Sequence, residues 1–363
     1  MNILLISYGD YDYDGRLREL INVFERIGNL HFYSASSESK LENQGIFPGG
    51  NYIRYMIEAV KYGLKFKDTD MIVLDNRKAI LPGRIIRWLT KTKIMVLDCR
   101  ELYFSNDVSK ISSKIGCYIE KPCIKKADIV ISANQERAEI MQQRYHLAEQ
   151  PLVFENIRGL ESSQEIEEDI LGEKFEPYIK EGEYRIVATA GCNMIRKNDV
   201  LVSNFDRVKE KCRLFLVGDS IPADEKRIRD IMKEKGLTNV EILGRLKQDE
   251  LKYLINHSHV GIVNYNQDDF NNKYCASGKL FEFIFEGIPV VTTTNPPLKR
   301  MCEVNGVGEA DDLYAEGINK VLANYEFYQE NARDFAKVKT VESNNEQLKN
   351  SILSRLSSRY PTE

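Results

Sequence analysis

The sequence predicts an α/β protein built from two Rossmann-like, doubly wound domains facing a central cleft. Three observations carry this. Short apolar runs alternate with helical patterns along the chain, the mark of βαβ units around parallel sheets. The runs are rich in Val, Ile and Leu, as strands covered on both faces require. The 363 residues exceed what one average core organises and suit two.

In the first half the strand candidates are Ile3–Ser7, Leu30–Ser34, Met71–Leu74, Lys93–Asp98 and Ile129–Ser132, with helices such as Gly15–Ile27 and Tyr52–Phe66 between them. In the second half they are Tyr184–Ala190, Arg213–Val217, Val240–Leu243, Val260–Val263 and Pro289–Thr293. Between the halves, 161–183 is rich in Glu and poor in apolar residues and reads as a linker. The expected division is therefore a first domain over 1–160, the linker, a second domain over 184–340, and a terminal helix over 341–363 that packs back toward the first. Open α/β sheets bind ligands beyond the carboxyl ends of their strands, which puts function in the cleft.

Composition narrows the class. Hydrophobic content of 42% and charged content of 29% are those of an ordinary folded protein, and a net charge of -4 gives no push toward nucleic acid. No apolar run approaches the roughly 18 residues that a membrane-crossing helix needs. The opening Met1–Ser7 reads as a buried strand, not a signal peptide. Seven scattered cysteines with no CxxC, and four histidines with no HExxH, argue against a disulfide framework or structural zinc. Reduced thiols and a cytoplasmic location are the expectation.

The most informative stretch runs from Asn271 to Val291, where a polar loop opens an amphipathic helix that Gly287-Ile288-Pro289 ends before a strand. Ser277 suits an N-cap, and Gly278 permits close backbone approach. A helix N-terminus offers free N–H groups and a positive dipole end to a phosphate. Lys279 in the first turn adds a cation that is unfavourable there unless an anion compensates, and Glu282 one turn on is placed to accept from two ribose hydroxyls. Spacing alone fits equally well a solvated i,i+3 pair on a surface helix.

The stretch resembles the YxSPxKLFEYxAxGxPVV segment of retaining GT-B glycosyltransferases of family 4 (glycosyl transferases group 1), in their KLFE subgroup. That resemblance implies a nucleotide-sugar donor, UDP- or GDP-linked, with Lys279 on the diphosphate and Glu282 on the ribose. Many members carry a further glutamate on the donor sugar eight residues earlier; here Tyr274 stands there. Upstream, Gly191-Cys192-Asn193-Met194-Ile195-Arg196-Lys197 is similar to the family's glycine and basic loop, with Cys192 where an arginine is usual, Lys197 matching the second cation and Arg196 replacing the first. Leu214-Phe215-Leu216-Val217-Gly218-Asp219 resembles the family's "lvGdG" strand end, and Gly244-Arg245-Leu246 resembles the segment whose backbone faces the base.

In the first half, Asp14-Gly15-Arg16 resembles a subgroup's opening turn, and Asp98-Cys99-Arg100-Glu101-Leu102-Tyr103 resembles its "DxHElY" strand end. Arg100 replaces a histidine that faces the reacting sugar in relatives. An arginine is no base, but it can hold a donor phosphate or an anionic acceptor, or pair with Asp98 or Glu101.

The stretch 77–93 is basic and apolar, with one tryptophan and no acid between Asp75 and Asp98. It fits a crossover helix with a solvated basic face, or peripheral association with the inner face of the membrane.

The resemblance implies metal-independent hexosyl transfer with retention, to a glycan or lipid-linked acceptor in bacterial surface polysaccharide or glycoconjugate synthesis. Lys279, Arg196, Lys197 and Arg100 are the expected catalytic group, and no cofactor is expected. A catalytically inactive GT-B subunit that binds a partner or acceptor is the alternative. An epimerase of the same architecture requires acid–base residues that the four histidines do not supply in any motif.

Overall fold

A computed structural model describes residues 1–160 and 168–360. The chain divides into two compact units, Met1–Asn156 with Val341–Glu363, and Ile157–Thr340.

The first unit holds a parallel sheet of seven strands: β1 (Asn2–Asp10), β2 (Asn29–Ala35), β3 (Gln44–Phe47), β4 (Met71–Asp75), β5 (Ile94–Cys99), β6 (Ile129–Ser132) and β7 (Leu152–Val153), in the order β3-β2-β1-β4-β5-β6-β7. Ile3–Ile6 of the central β1 lie between Leu30–Tyr33 and Met71–Leu74, which explains their complete burial and the unbroken apolar run. The Gly15–Glu25 helix buries Leu17, Leu20, Ile21 and Phe24, at i, i+3, i+4 and i+7, against this sheet. The Val341–Arg359 helix belongs to the same unit. Its Leu348, Ile352 and Leu356 enter the first core, and Arg26 donates to Glu342 at 2.8 Å.

The second unit holds a parallel sheet of six strands: β8 (Tyr184–Ala188), β9 (Cys212–Val217), β10 (Val240–Gly244), β11 (Val260–Val263), β12 (Val290–Thr292) and β13 (Gly308–Ala310), in the order β10-β9-β8-β11-β12-β13. The expected linker needs correction. Residues 161–167 lie outside the described residues, but Glu168–Phe175 form a helix of the second unit. Phe175 is buried and stacks on Tyr253 with ring centres 5.6 Å apart, and Lys174 reaches Glu250 at 2.6 Å. Two such contacts in a Glu-rich stretch are enough to dock it. β3, β7 and β13 are absent from the sequence reading because Gln44–Phe47 and Gly308–Ala310 carry no run of branched aliphatics and Leu152–Val153 is only two residues long.

All seven cysteines are free and buried. Among the described residues no helix is long and apolar enough to cross a membrane.

Candidate functional site

In the second unit the parallel strands put every strand-to-helix loop on one edge. The order reverses between β8 and β11, so the loops after these two strands flank the switch point where open α/β sheets take ligands. Residues from both loops meet there. The guanidinium of Arg196 lies over the ring of Tyr265, 3.9 Å from its centre, and its Nη1 has no hydrogen-bond partner among the described residues. Asparagines fix the loops behind this contact: Asn264 donates to Asn198 at 2.6 Å, and Asn198 donates to the Gly191 carbonyl at 2.6 Å.

The Gly278–Phe285 helix points its N-terminus into the same region. Ser277 occupies the N-cap position, but the expected cap is missing: its side chain makes no capping bond, and its Oγ is buried with no partner among the described residues. The first-turn N–H groups are therefore left for something else. Lys279 and Glu282 do not form the surface pair that spacing alone allowed. Lys279 Nζ donates to the carbonyl of Thr189 and to its Oγ1 at 2.9 Å. Glu282, 8% exposed, accepts from Arg158 Nε at 2.7 Å. Gly278 makes room for that arginine, since a Cβ there would sit 2.5 Å from Arg158 Nε.

Burial pushes Lys279 down to about 8; the Glu282 carboxylate opposes this, and Arg196 and Arg158 add to it. Three cations thus share one neighbourhood with a single carboxylate, Glu282, at an uncapped helix N-terminus. The arrangement lacks an anion in the electrostatic sense and is suited to a diphosphate.

The remaining expected residues sit around this centre. Gly191 has φ +58°, and a Cβ there would come within 2.6 Å of the Asp219 carbonyl, so this loop packs directly on the one after β9. Gly218, at φ +129°, ends that strand and donates to the Gly244 carbonyl at 2.7 Å. Gly244 begins the loop carrying Arg245, which is exposed and 3.6 Å from Asp219, and the half-buried Leu246. Tyr274 closes a short helix and stacks on Phe270 at 5.9 Å. Lys197 is the left-handed residue, φ 56°, between the Met194–Arg196 turn and the next helix. Cys192 is wholly buried in the hydrophobic core.

In the first unit, the carboxyl edge carries a closed ion-pair network. Arg100, just past β5, contacts Asp14, lies 2.6 Å from Asp75 and 3.6 Å from Asp98. Arg16 grips Asp98 with two bonds of 3.0 and 2.7 Å and donates to the Phe154 carbonyl at 2.6 Å and Asn156 Oδ1 at 3.0 Å. Asp14 also caps the helix that Gly15 opens, accepting from Leu17 N–H at 3.0 Å. Burial pushes Asp75 up to about 6, against the pull of Arg100 and with Asp98 and Asp14 adding to the rise. Arg100 is therefore not a free cation awaiting phosphate, because three carboxylates already claim it. Its partners are Asp14 and Asp75 as well as the expected Asp98, whereas Glu101 is exposed and outside the network.

Sequence reasoning missed Arg158, Thr189, Asn264 and Tyr265. Thr189 and Tyr265 lie within two residues of a strand end beside the switch point, a signal that was available. Arg158 lies 124 positions from its partner Glu282, and nothing local marks it.

No family model and no curated protein sequence matches the chain. Solved structures match it almost end to end. Sucrose-phosphate synthase from Thermosynechococcus elongatus has a TM-score of 0.72 at 15% identity, covering 99% of this chain and 100% of its own. HepE from Anabaena, in complex with UDP, has a TM-score of 0.72 at 14% identity, covering 98% and 100%. UDP-GlcNAc 2-epimerase from Neisseria meningitidis, bound to UDP-GlcNAc, has a TM-score of 0.60 at 13% identity, covering 99% and 100%. The chain has the GT-B fold that the sequence resemblance implied. A synthase and an epimerase both carry that architecture, so the fold does not decide the activity.

Proposed function

We propose that the chain is a glycosyltransferase that takes a sugar from a UDP- or GDP-linked donor held at the carboxyl edge of the second unit. One observation carries the proposal: Lys279, Arg196 and Arg158 gather with Glu282 at the uncapped N-terminus of the Gly278–Phe285 helix. Such a place stabilises the negative charge that grows on a leaving diphosphate, and removal of one contact of this kind costs about a hundredfold or more in rate. HepE, similar in fold, is solved with UDP, which supports a nucleotide ligand for a chain of this architecture.

In this reading Lys279 and Arg196 meet the diphosphate, with Lys197 adjacent in sequence. Glu282 receives the ribose hydroxyls, exchanging its bond from Arg158 as the donor enters. The backbone of Gly244-Arg245-Leu246 faces the base, and Gly218 keeps the neighbouring loop close. Tyr274 stands toward the sugar. The cations do the neutralising that a divalent metal does elsewhere, so transfer is metal-independent. Retention at the anomeric carbon, with the donor phosphate taking the acceptor proton, needs no protein base. The first unit's edge, with Asp14, Gly15, Arg16 and Asp98, takes the acceptor, a glycan or lipid-linked sugar in bacterial surface polysaccharide or glycoconjugate synthesis in the cytoplasm. Arg100 acts there as a positioning residue.

A second reading has a specific observation behind it. Arg100 is paired with carboxylates and Cys192 is in the core, so neither side chain is free to meet a donor phosphate. A catalytically inactive GT-B subunit that binds a partner or acceptor has this character. A screen of UDP- and GDP-sugars for nucleotide release, with and without saccharide acceptors, separates the two. Release that disappears in Lys279→Ala supports the transferase; no release from any donor, with no nucleotide binding by calorimetry, supports the scaffold.

A further inference from the structure

The helices on one face of the first sheet leave apolar side chains in solvent at helical spacing. Ile85, Trp88 and Leu89, at i, i+3 and i+4, point out of the Ile80–Thr90 helix, while Ile80 and Ile86 on its other side are buried. The adjacent Ile111–Lys126 helix repeats the pattern with exposed Ile111, Ile115 and Tyr118, at i, i+4 and i+7, opposite buried Cys117 and Ile124. On the other flank the Tyr52–Gly63 helix exposes Ile53 and Ile57. The three helices pack side by side. A single exposed apolar residue is ordinary, but outward stripes on three neighbouring helices, one holding a tryptophan 77% exposed, mark an interaction surface.

Charge selects the partner. Residues 80–91 and 110–126 carry eight Lys and Arg against one carboxylate, Glu120. That carboxylate is buried and held by Arg77 at 2.6 Å, so it cancels nothing at the surface. Between the two helices runs a groove of about 400 Å³ lined by Arg84, Trp88, Lys91, Pro122 and Lys126. Arg87 also lines it, but donates to the carbonyls of Thr92 and Lys93 and lies 3.5 Å from Asp128. A second copy pairing through this face would set cation against cation across a two-fold axis. A polyanion with no apolar phase would leave the aliphatic stripes wet.

We propose that this face docks on an anionic lipid bilayer. Trp88, Ile85 and Leu89 seat in the headgroup layer, and the groove cations Arg84, Lys91 and Lys126 meet lipid phosphates. The proposal goes beyond the donor site and does not depend on it.

Trp88 is the one tryptophan of the chain, so its emission reports on this face alone. Vesicles containing phosphatidylglycerol, added to the full-length protein, are expected to shift the emission to the blue and to carry the protein down on sedimentation. High salt reverses both, and pure phosphatidylcholine vesicles bind about tenfold or more weakly. Lys91→Glu combined with Lys126→Glu weakens binding to the anionic vesicles about tenfold at an unchanged melting temperature and unchanged UDP affinity. Trp88→Ser gives the same loss in sedimentation if the double variant unfolds. Emission unmoved by anionic vesicles with the protein left in the supernatant overturns the proposal. Equal binding to both vesicle types overturns it as well, as does a blue shift that appears with protein concentration alone, the sign of self-association.

Discussion

At the scale of single residues, Lys279 is the group whose chemistry is most exposed to test. Burial lowers it to about 8 from an ordinary 10.5, so the folded chain disfavours its charged form. That cost is present below about pH 8 and is relieved as pH rises from there toward the unfolded value of 10.5. A bound diphosphate does the opposite, holding the proton on. Nucleotide binding near pH 8 should therefore take up a proton, seen as a dependence of the calorimetric heat on the ionisation enthalpy of the buffer, and affinity should fall as pH rises through that value. Lys279→Arg should bind without that uptake. Heat independent of buffer for the unaltered chain would remove the diphosphate from Lys279. This residue and Glu282 were legible because a single turn of helix carries both. Arg158 was not, since it arrives from far along the chain and its meaning rests on the space that Gly278 leaves.

At the scale of elements, the strand ends of the two sheets serve different ends. In the second unit the loop after β8 and the start of the Gly278–Phe285 helix bring Arg196 and Lys279 together with Arg158 around the single carboxylate Glu282. In the first, the ends of β4 and β5 and the start of the Gly15–Glu25 helix bring Asp75, Asp98 and Asp14 onto Arg100 and Arg16. Removing Arg100 leaves buried carboxylates uncompensated, a change that costs about 3–5 kcal/mol for pairs of this kind. Arg100→Ala should lower unfolding stability by that order in a denaturant titration, and should leave UDP affinity within about twofold, if Arg100 positions the edge and does not hold the donor. The sequence showed that Arg100 sat at a strand end. It offered Asp98 as a partner but not Asp14 or Asp75, which belong to other elements that only the sheet order brings alongside. The linker reading failed over 168–175 for a related reason: the buried Phe175 docks this acidic segment as a packed helix.

At the scale of the whole molecule, both sheets were legible, since buried parallel strands write themselves as short runs of branched aliphatics. The edge strands β3, β7 and β13 were not, because Gln44–Phe47 and Gly308–Ala310 hold no such run and Leu152–Val153 is only two residues long. The terminal helix ties the end of the chain into the first core through Leu348 and Ile352. Ile352→Ala should cost about 2–5 kcal/mol of unfolding stability while sparing nucleotide binding, since it touches no part of the proposed donor site.

The central claim is that the second unit binds a nucleoside diphosphate at Lys279 and Glu282. Calorimetric titration of the full-length chain with UDP and with GDP, beside Lys279→Ala and Glu282→Ala, tests it most directly. The account predicts saturable binding of one of the two nucleotides, with affinity reduced about tenfold or more in each variant at an unchanged melting temperature. Binding of equal strength in all three proteins, or no binding of either nucleotide to the unaltered chain, would contradict it.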